Sequence, residues 1–401
     1  MDVNLSGTGT ARSDELDDET LAADPPEITG WTRVAAWLGT AGLIYLLICA
    51  VSIMSRGFRA LNQDAAESLF SFANQPLVAL GVGILVTVLI QSSSTTTAIT
   101  VTAVGSGALT LANSIPLLFG ANIGTTVTCT IVALGFAKEP KRFRRAFTAA
   151  GISDWFNMLA VAIFLPLELL FHPLEKLSQW LTNLLYGSGG SNLGNFDPVR
   201  TATRPVVDFV KSATGHLNDT LGPLVMIIIG VLLIFLVVKY LGGLLKVLMI
   251  GRAREWLQKA VGRNDAVAMG AGCGATIITQ SSTVTNTVLV PFVGVGALSP
   301  RQIYPVILGS GIGTTFTSVL AALAIDGDFA KIGLQAALVH VFFNVSAVLV
   351  IFVIPLLRPL PLRAAGAVAE IATRHKWFAL VYIISFFILV PVLLILVFGV
   401  F

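Results

Sequence analysis

Apolar stretches fall along the chain at about 34–55, 68–90, 98–112, 115–136, 146–170, 222–250, 265–279, 284–297, 302–325, 331–356 and 377–401. A helix needs about 20 apolar residues to cross a bilayer. Several stretches meet that length. Those beside the polar clusters at 91–97 and 280–286 are too short or too rich in glycine, and they read as broken or re-entrant helices. The pattern predicts an all-α integral membrane protein. The last stretch stands apart from the rest as one extra C-terminal helix.

Composition sharpens this reading. The chain is 55% hydrophobic and 12% charged, with a mean hydropathy of +0.84. Soluble domains carry roughly 25% charge. The net charge of +3 is small and its basic residues sit in loops, which excludes a nucleic-acid surface. Cys49, Cys129 and Cys273 lie in apolar stretches without metal or disulfide spacing. The four histidines are scattered. Residues 1–32 are polar and acidic and are expected to be a disordered cytosolic tail, with no cleavable signal peptide.

Basic residues mark the cytoplasmic side of a membrane protein. They cluster at Lys138 to Arg145, at 239–263 and at 358–376. The segment 171–221 balances its charges and is expected outside. That places the N-terminus in the cytoplasm and the chain in the cell (inner) membrane.

The polar clusters belong to an internal repeat. Gln91 set on Gln280, an offset of 189, aligns "QSSSTTTAITVTAVGSGAL" with "QSSTVTNTVLVPFVGVGAL" and "GANIGTTVT" with "GSGIGTTFT" without a gap. With an offset of 187, "WFNMLAV" meets "FFNVSAV" and pairs Asn157 with Asn344. The matching positions are polar residues and glycines, so shared hydrophobicity does not explain them. The halves are 33–170 and 222–356, separated by the external loop 171–221 and followed by a basic loop and terminal helix at 357–401. Opposite charge bias at their ends makes them an inverted repeat, an architecture common among secondary transporters.

Unpaired polar groups in lipid cost several kcal/mol each. One such hydroxyl usually bonds to its own helix backbone. A dense cluster recurring in both halves points instead to a ligand. Neutral hydroxyl, amide and carbonyl oxygens suit sodium, and hydroxyl and backbone donors at helix N-termini suit an oxyanion. The glycine-rich segments 120–124 and 309–313 are expected to be turns that let backbone approach an ion. No Arg or Lys falls within the clusters, so co-bound sodium would supply the counter-charge of an anion. Asp154 is an intramembrane carboxylate, a functional candidate by default; pairing with Arg144 or Arg145 is its structural alternative.

Two QSSS-type motifs in inverted repeats, each followed by G-x-x-I-G-T-T and then an F-N pair, resemble the type II sodium/phosphate cotransporters. The resemblance spans most of 33–356, and the short loops and tail fit a bacterial homologue. It implies a symporter, not an enzyme, importing inorganic phosphate with sodium ions by alternating access, with net charge movement. By the motif, Gln91, Ser92, Ser93 and Ser94 form one half of the phosphate site, and Gln280, Ser281, Ser282 and Thr283 the other. The sodium candidates are Gln91, Ser94, Asn122, Thr125, Thr128, Asp154, Asn157, Gln280, Ser281, Ser310, Thr314, Thr317 and Asn344. Thr283 and Gly311 depart from the first motif, where Ser94 and Asn122 stand. The alternatives are a sodium-coupled carrier of another small anion, an intramembrane serine hydrolase and a passive channel. A hydrolase lacks a base near its serine. A homodimer is left open.

Overall fold

The computed structural model describes residues 30–61, 63–186, 198–261, 264–325 and 329–399. Most of the expected tail, residues 1–29, lies outside them. The first half contains α1 (Trp31–Ala60), α2 (Gln63–Phe70), a 3-10 turn (Ser71–Asn74), α3 (Pro76–Ile90), α4 (Ser93–Gly105), α5 (Leu111–Gly124), α6 (Val127–Leu134) and α7 (Pro140–Phe171). The segment expected to be an external loop, 171–221, holds two helices, α8 (Pro173–Tyr186) and α9 (Pro198–Thr214). The second half contains α10 (Leu221–Ala260), α11 (Asp265–Thr279), α12 (Ser282–Val295), α13 (Pro300–Leu323) and α14 (Ala330–Ala347), extended by a π-helical turn to Phe352. Then come α15 (Leu360–Arg374), α16 (Lys376–Ile384) and α17 (Val390–Phe398), the last two joined through a π-helical turn. No strand occurs among the described residues. Proline opens α3, α7 and α13, where a missing N–H does no harm. Ser299 and Gln302 close a capping box at the start of α13.

Seven helical segments are long and apolar enough to cross a membrane: α1, α5 with α6, α7, the first part of α10, α13, α14 with its π turn, and α16 to α17. By contrast α3, α4, α11 and α12 have 15, 13, 15 and 14 residues. At 1.5 Å per residue each spans only about 20 Å, short of a hydrocarbon core of about 30 Å. These four short helices carry the polar clusters, and they fit the broken helices expected there. The segments 120–124 and 309–313, expected to be turns, are both helix: 120–124 ends α5, with the break to α6 just beyond it at Thr125–Thr126, and 309–313 lies inside the unbroken α13.

The packing of one half is echoed in the other. α3 lies on α5, and α11 on α13; α4 contacts α13 and α14, while α12 contacts α6 and α7. The amphipathic α8, which follows the first half, packs on α14 of the second, and the amphipathic α15, which follows the second half, packs on α7 of the first. α1 and α10 run antiparallel along each other, with Gly39 against Leu244 near one end and Gly57 against Ile227 near the other.

The glycines expected to approach an ion approach helices instead. A Cβ on Gly120 or Gly124 would collide with the carbonyl oxygens of Leu80 or Ile84 in α3. A Cβ on Gly309 or Gly313 would collide with the carbonyls of Met269 or Cys273 in α11. Each pair repeats at the same 189-residue offset. Small residues bring helix backbones close where no hydrophobic force drives helices together.

Candidate functional site

The site is built where two helix pairs meet. Gln91 ends α3 and Gln280 ends α11, both in the left-handed region, at φ 58° and 50°. Such a conformation costs a non-glycine residue about 1–3 kcal/mol. It turns the chain so that the next residue starts a new helix. Ser92 and Ser281 do this with nearly the same backbone, φ −152° and −155°, and each caps its helix by accepting a 3.2 Å hydrogen bond, from the Thr95 or the Val284 amide.

Each glutamine is fixed in the same way. Gln91 Oε1 accepts from Thr128 at 2.7 Å, and Gln280 Oε1 accepts from Thr317 at 2.8 Å. Their amide nitrogens donate to the Val88 and Ile277 carbonyls. Behind them Thr87 donates to Thr96 at 3.0 Å, and Thr276 to Thr285 at 2.9 Å. The two halves also touch: Thr317 Oγ1 lies 3.5 Å from Ser94 Oγ.

Gln91, Ser92, Gln280 and Ser281 line one cavity of about 410 Å³, closed on another side by Phe235, Val238, Lys239 and Gly243 of α10. Both N-caps therefore share a chamber, and the positive ends of α4 and α12 open onto it. Unpaired backbone N–H groups at helix starts, reinforced by the helix dipole, form a site for anions. Ser281 Oγ accepts from a backbone amide, and its hydrogen stays free to donate.

A second, smaller space is separate from the chamber. It measures about 20 Å³ and is lined by Ser93, Asn122, Thr125, Ser153 and Asn157 of the first half and by Ser282, Asn286, Ser310, Gly311 and Thr314 of the second, with Phe156, Ile307 and Leu308. One water needs about 10–15 Å³ by this measure, so the void has room for a single small occupant. Its hydroxyls present lone pairs. Thr125 donates to the Ala121 carbonyl at 2.9 Å, Thr314 to the Ser310 carbonyl at 3.0 Å, and Ser310 to Asn286 Oδ1 or the Ile307 carbonyl. A hydroxyl whose hydrogen is committed in this way offers oxygen, the ligand of a hard cation. Asn157 donates to the Asn122 carbonyl at 2.9 Å, which holds α7 to α5.

Asp154 faces neither space. It is fully buried, and its Oδ2 accepts from Tyr382 of α16 at 3.1 Å. Its Oδ1 and the hydroxyl of Thr130 have no hydrogen-bond partner among the described residues, and Thr126 and Thr130 lie beside the carboxylate. Arg144 pairs with Glu370 at 2.9 Å, so the expected structural alternative, a pairing with Asp154, is not formed by it.

The sequence matches the Na+/Pi-cotransporter family over residues 46–185 and 232–355, one match in each half. The chain belongs to the Na+/Pi-cotransporter family. Human "Sodium-dependent phosphate transport protein 2B" is 31% identical, over 87% of this chain and 63% of its own length. Rat "Sodium-dependent phosphate transport protein 2A" is 33% identical, over 90% of this chain and 66% of its own. The chain thus spans under two thirds of these relatives. No solved structure matches it.

For a Na+/Pi-cotransporter family member, the motif residues fall into distinct places. Gln91, Ser92, Gln280 and Ser281 meet at the chamber; Ser93, Asn122, Thr125, Asn157, Ser282, Ser310 and Thr314 meet at the void. Thr128 and Thr317 hold the glutamines, and Ser94 sits beside Thr317. Thr283 lines neither space. Asn344 is buried, donates to the His340 carbonyl at 3.0 Å and lies beside Gly311. Asp154 stands apart. Sequence reasoning did not anticipate Asn286, Lys239 or Tyr382. Asn286 had a signal, as the last polar residue of the cluster at 280–286. His340, one of the scattered histidines, is fully buried and bridges the halves, with Nδ1 2.8 Å from Ser318 Oγ and Nε2 3.4 Å from Asn122 Oδ1.

Proposed function

We propose that this chain is a sodium-coupled symporter of inorganic phosphate. The chamber takes the anion, and the smaller void takes a sodium ion. One observation carries the reading: repeat-related donors share the chamber, and repeat-related acceptors share the void. Neutral donors bind an anion weakly unless its charge is balanced. Opposite charges attract more strongly in a protein interior than in bulk water, because the effective dielectric is lower. A cation in the void therefore favours phosphate in the chamber, and by linkage the reverse holds.

The relatives' names, which give sodium-dependent phosphate transport, support the same assignment. The antiparallel α1 and α10, and the crossed packing of α8 on α14 and of α15 on α7, support an inverted repeat. In such folds alternating access follows when one half rocks against the other around a fixed site. The basic loops favour a cytoplasmic N-terminus. Asp154, buried beside two threonine hydroxyls with one oxygen unpartnered, is placed to hold a further sodium ion. Its occupancy would make the cycle move net charge.

Reconstitution tests this. Purified protein in proteoliposomes should accumulate labelled phosphate when sodium is high outside, and not when choline replaces it. Arsenate should compete, and sulfate and carboxylates should not. Uptake indifferent to sodium would contradict the symporter and favour a channel, and competition by carboxylates would favour a carrier of another anion.

A further inference from the structure

We propose that Lys239 supplies the fixed positive charge of the anion chamber and sets its affinity for phosphate. This rests on the assignment of the chamber to phosphate. Lys239 is the one charged residue lining the chamber among the described residues. It stands on α10 opposite the paired glutamines and serines. Phe235, Lys239 and Gly243 follow at steps of four residues, with Val238 beside Lys239, and this helix face forms the chamber wall.

A lysine near the end of a membrane helix ordinarily extends to the lipid interface. Two observations separate Lys239 from that case. Lys239 is itself exposed, yet it lines the chamber with Gln91 and Gln280, whereas the adjacent Tyr240, also exposed, is absent from that wall. One turn further on, Gly243 has no atom within 4 Å of where its Cβ would be, which leaves open space beside the lysine. Among the described residues no carboxylate lies within ion-pair distance of Lys239 to neutralise it.

The chemistry fits a phosphate dianion. An ammonium is a compact charge with three rotatable donors. It complements the neutral hydroxyl and backbone donors at the starts of α4 and α12. The charge is one-sided: α1, the counterpart of α10 in the first half, contributes nothing to the chamber wall. A single lysine at one mouth would hold the anion after its sodium partner has begun to leave.

The test is equilibrium binding of labelled inorganic phosphate to the purified full chain at saturating sodium. Lys239→Gln should weaken binding about tenfold, and Lys239→Arg should stay within about threefold of the wild type. In Lys239→Cys, modification with an aminoethyl methanethiosulfonate, which restores an ammonium, should recover binding. A sulfonatoethyl reagent should not. The wild type, whose Cys49 and Cys129 are buried and Cys273 partly buried, gives the background of both reagents. Sodium binding without phosphate, read by thermal shift, should be unchanged in all variants. Wild-type affinity in Lys239→Gln, or equal effects of the two reagents on Lys239→Cys, would overturn the proposal. The reagents act on one already folded protein, so a folding defect in Lys239→Gln does not decide the matter. A wild type that binds no phosphate at any sodium concentration would overturn the chamber assignment and this proposal together, whereas binding that ignores position 239 overturns only the proposal.

Discussion

At the scale of single residues, the site depends on two glutamines held where glutamine is strained. Each ends a helix in the left-handed region and presents an amide clamped by a threonine hydroxyl and a backbone carbonyl. Glycine adopts that backbone without penalty. Gln280→Gly should therefore melt no lower than Gln280→Ala, and higher by up to about 1–3 kcal/mol of relieved strain. Both variants should lose phosphate uptake. Equal melting of the two with uptake intact would show that neither the strain nor the amide matters. Such residues were legible in the sequence because seven polar positions in an apolar background have no packing explanation. The placement of Asn286 in the void was less legible, because it depends on how α12 faces α13.

At the scale of elements, glycine spacing determines how closely α3 meets α5 and α11 meets α13. The sequence shows these glycines plainly, in matching places, yet it does not tell close approach to an ion from close approach to a helix. The carbonyls of the facing helix decide it. Gly309→Ala forces Met269 and its helix away, and overpacking of this kind costs typically about 1–3 kcal/mol. Its melting temperature in detergent should fall, and so should that of Gly120→Ala. An unchanged melt in both would contradict the packing role.

The terminal helix carries a second surprise at this scale. Read as an addition outside the repeats, it nonetheless delivers Tyr382 to Asp154. Nothing in sequence spacing links positions 228 residues apart. Tyr382→Phe should remove the hydroxyl that donates to Asp154 Oδ2 and leave Thr126 and Thr130 as its polar neighbours. Because Asp154 is assigned to a sodium ion, the variant should alter the sodium dependence of uptake, and Asp154→Asn should reduce the charge moved per phosphate. Currents and tracer flux measured together on the same proteoliposomes check this. An unchanged charge-to-phosphate ratio in Asp154→Asn would remove Asp154 from the sodium path.

At the scale of the whole molecule, the duplication gives the proposed function its physical basis, because it brings two copies of an uncharged cluster together around two separate spaces. Repeat-related residues meet in pairs: Gln91 with Gln280 and Ser92 with Ser281 at the chamber, Ser93 with Ser282 and Thr125 with Thr314 at the void. The repeat was legible because its matches are polar residues and glycines. The division into two spaces was not, since neighbouring residues in one motif, Ser92 and Ser93, face different ones. Lys239 was hidden for a related reason. It begins a basic run that reads as an orientation signal, and only the fold turns it toward the chamber.

If sodium in the void balances the charge of phosphate in the chamber, each ion must tighten the binding of the other. Reciprocal binding on purified protein tests it most directly: phosphate affinity measured across a sodium series at constant ionic strength, and sodium affinity measured with and without phosphate. Sodium should tighten phosphate binding at least tenfold, phosphate should tighten sodium binding by the same factor, and Ser310→Ala should weaken sodium binding and reduce both effects. Phosphate affinity that does not change with sodium would contradict the account.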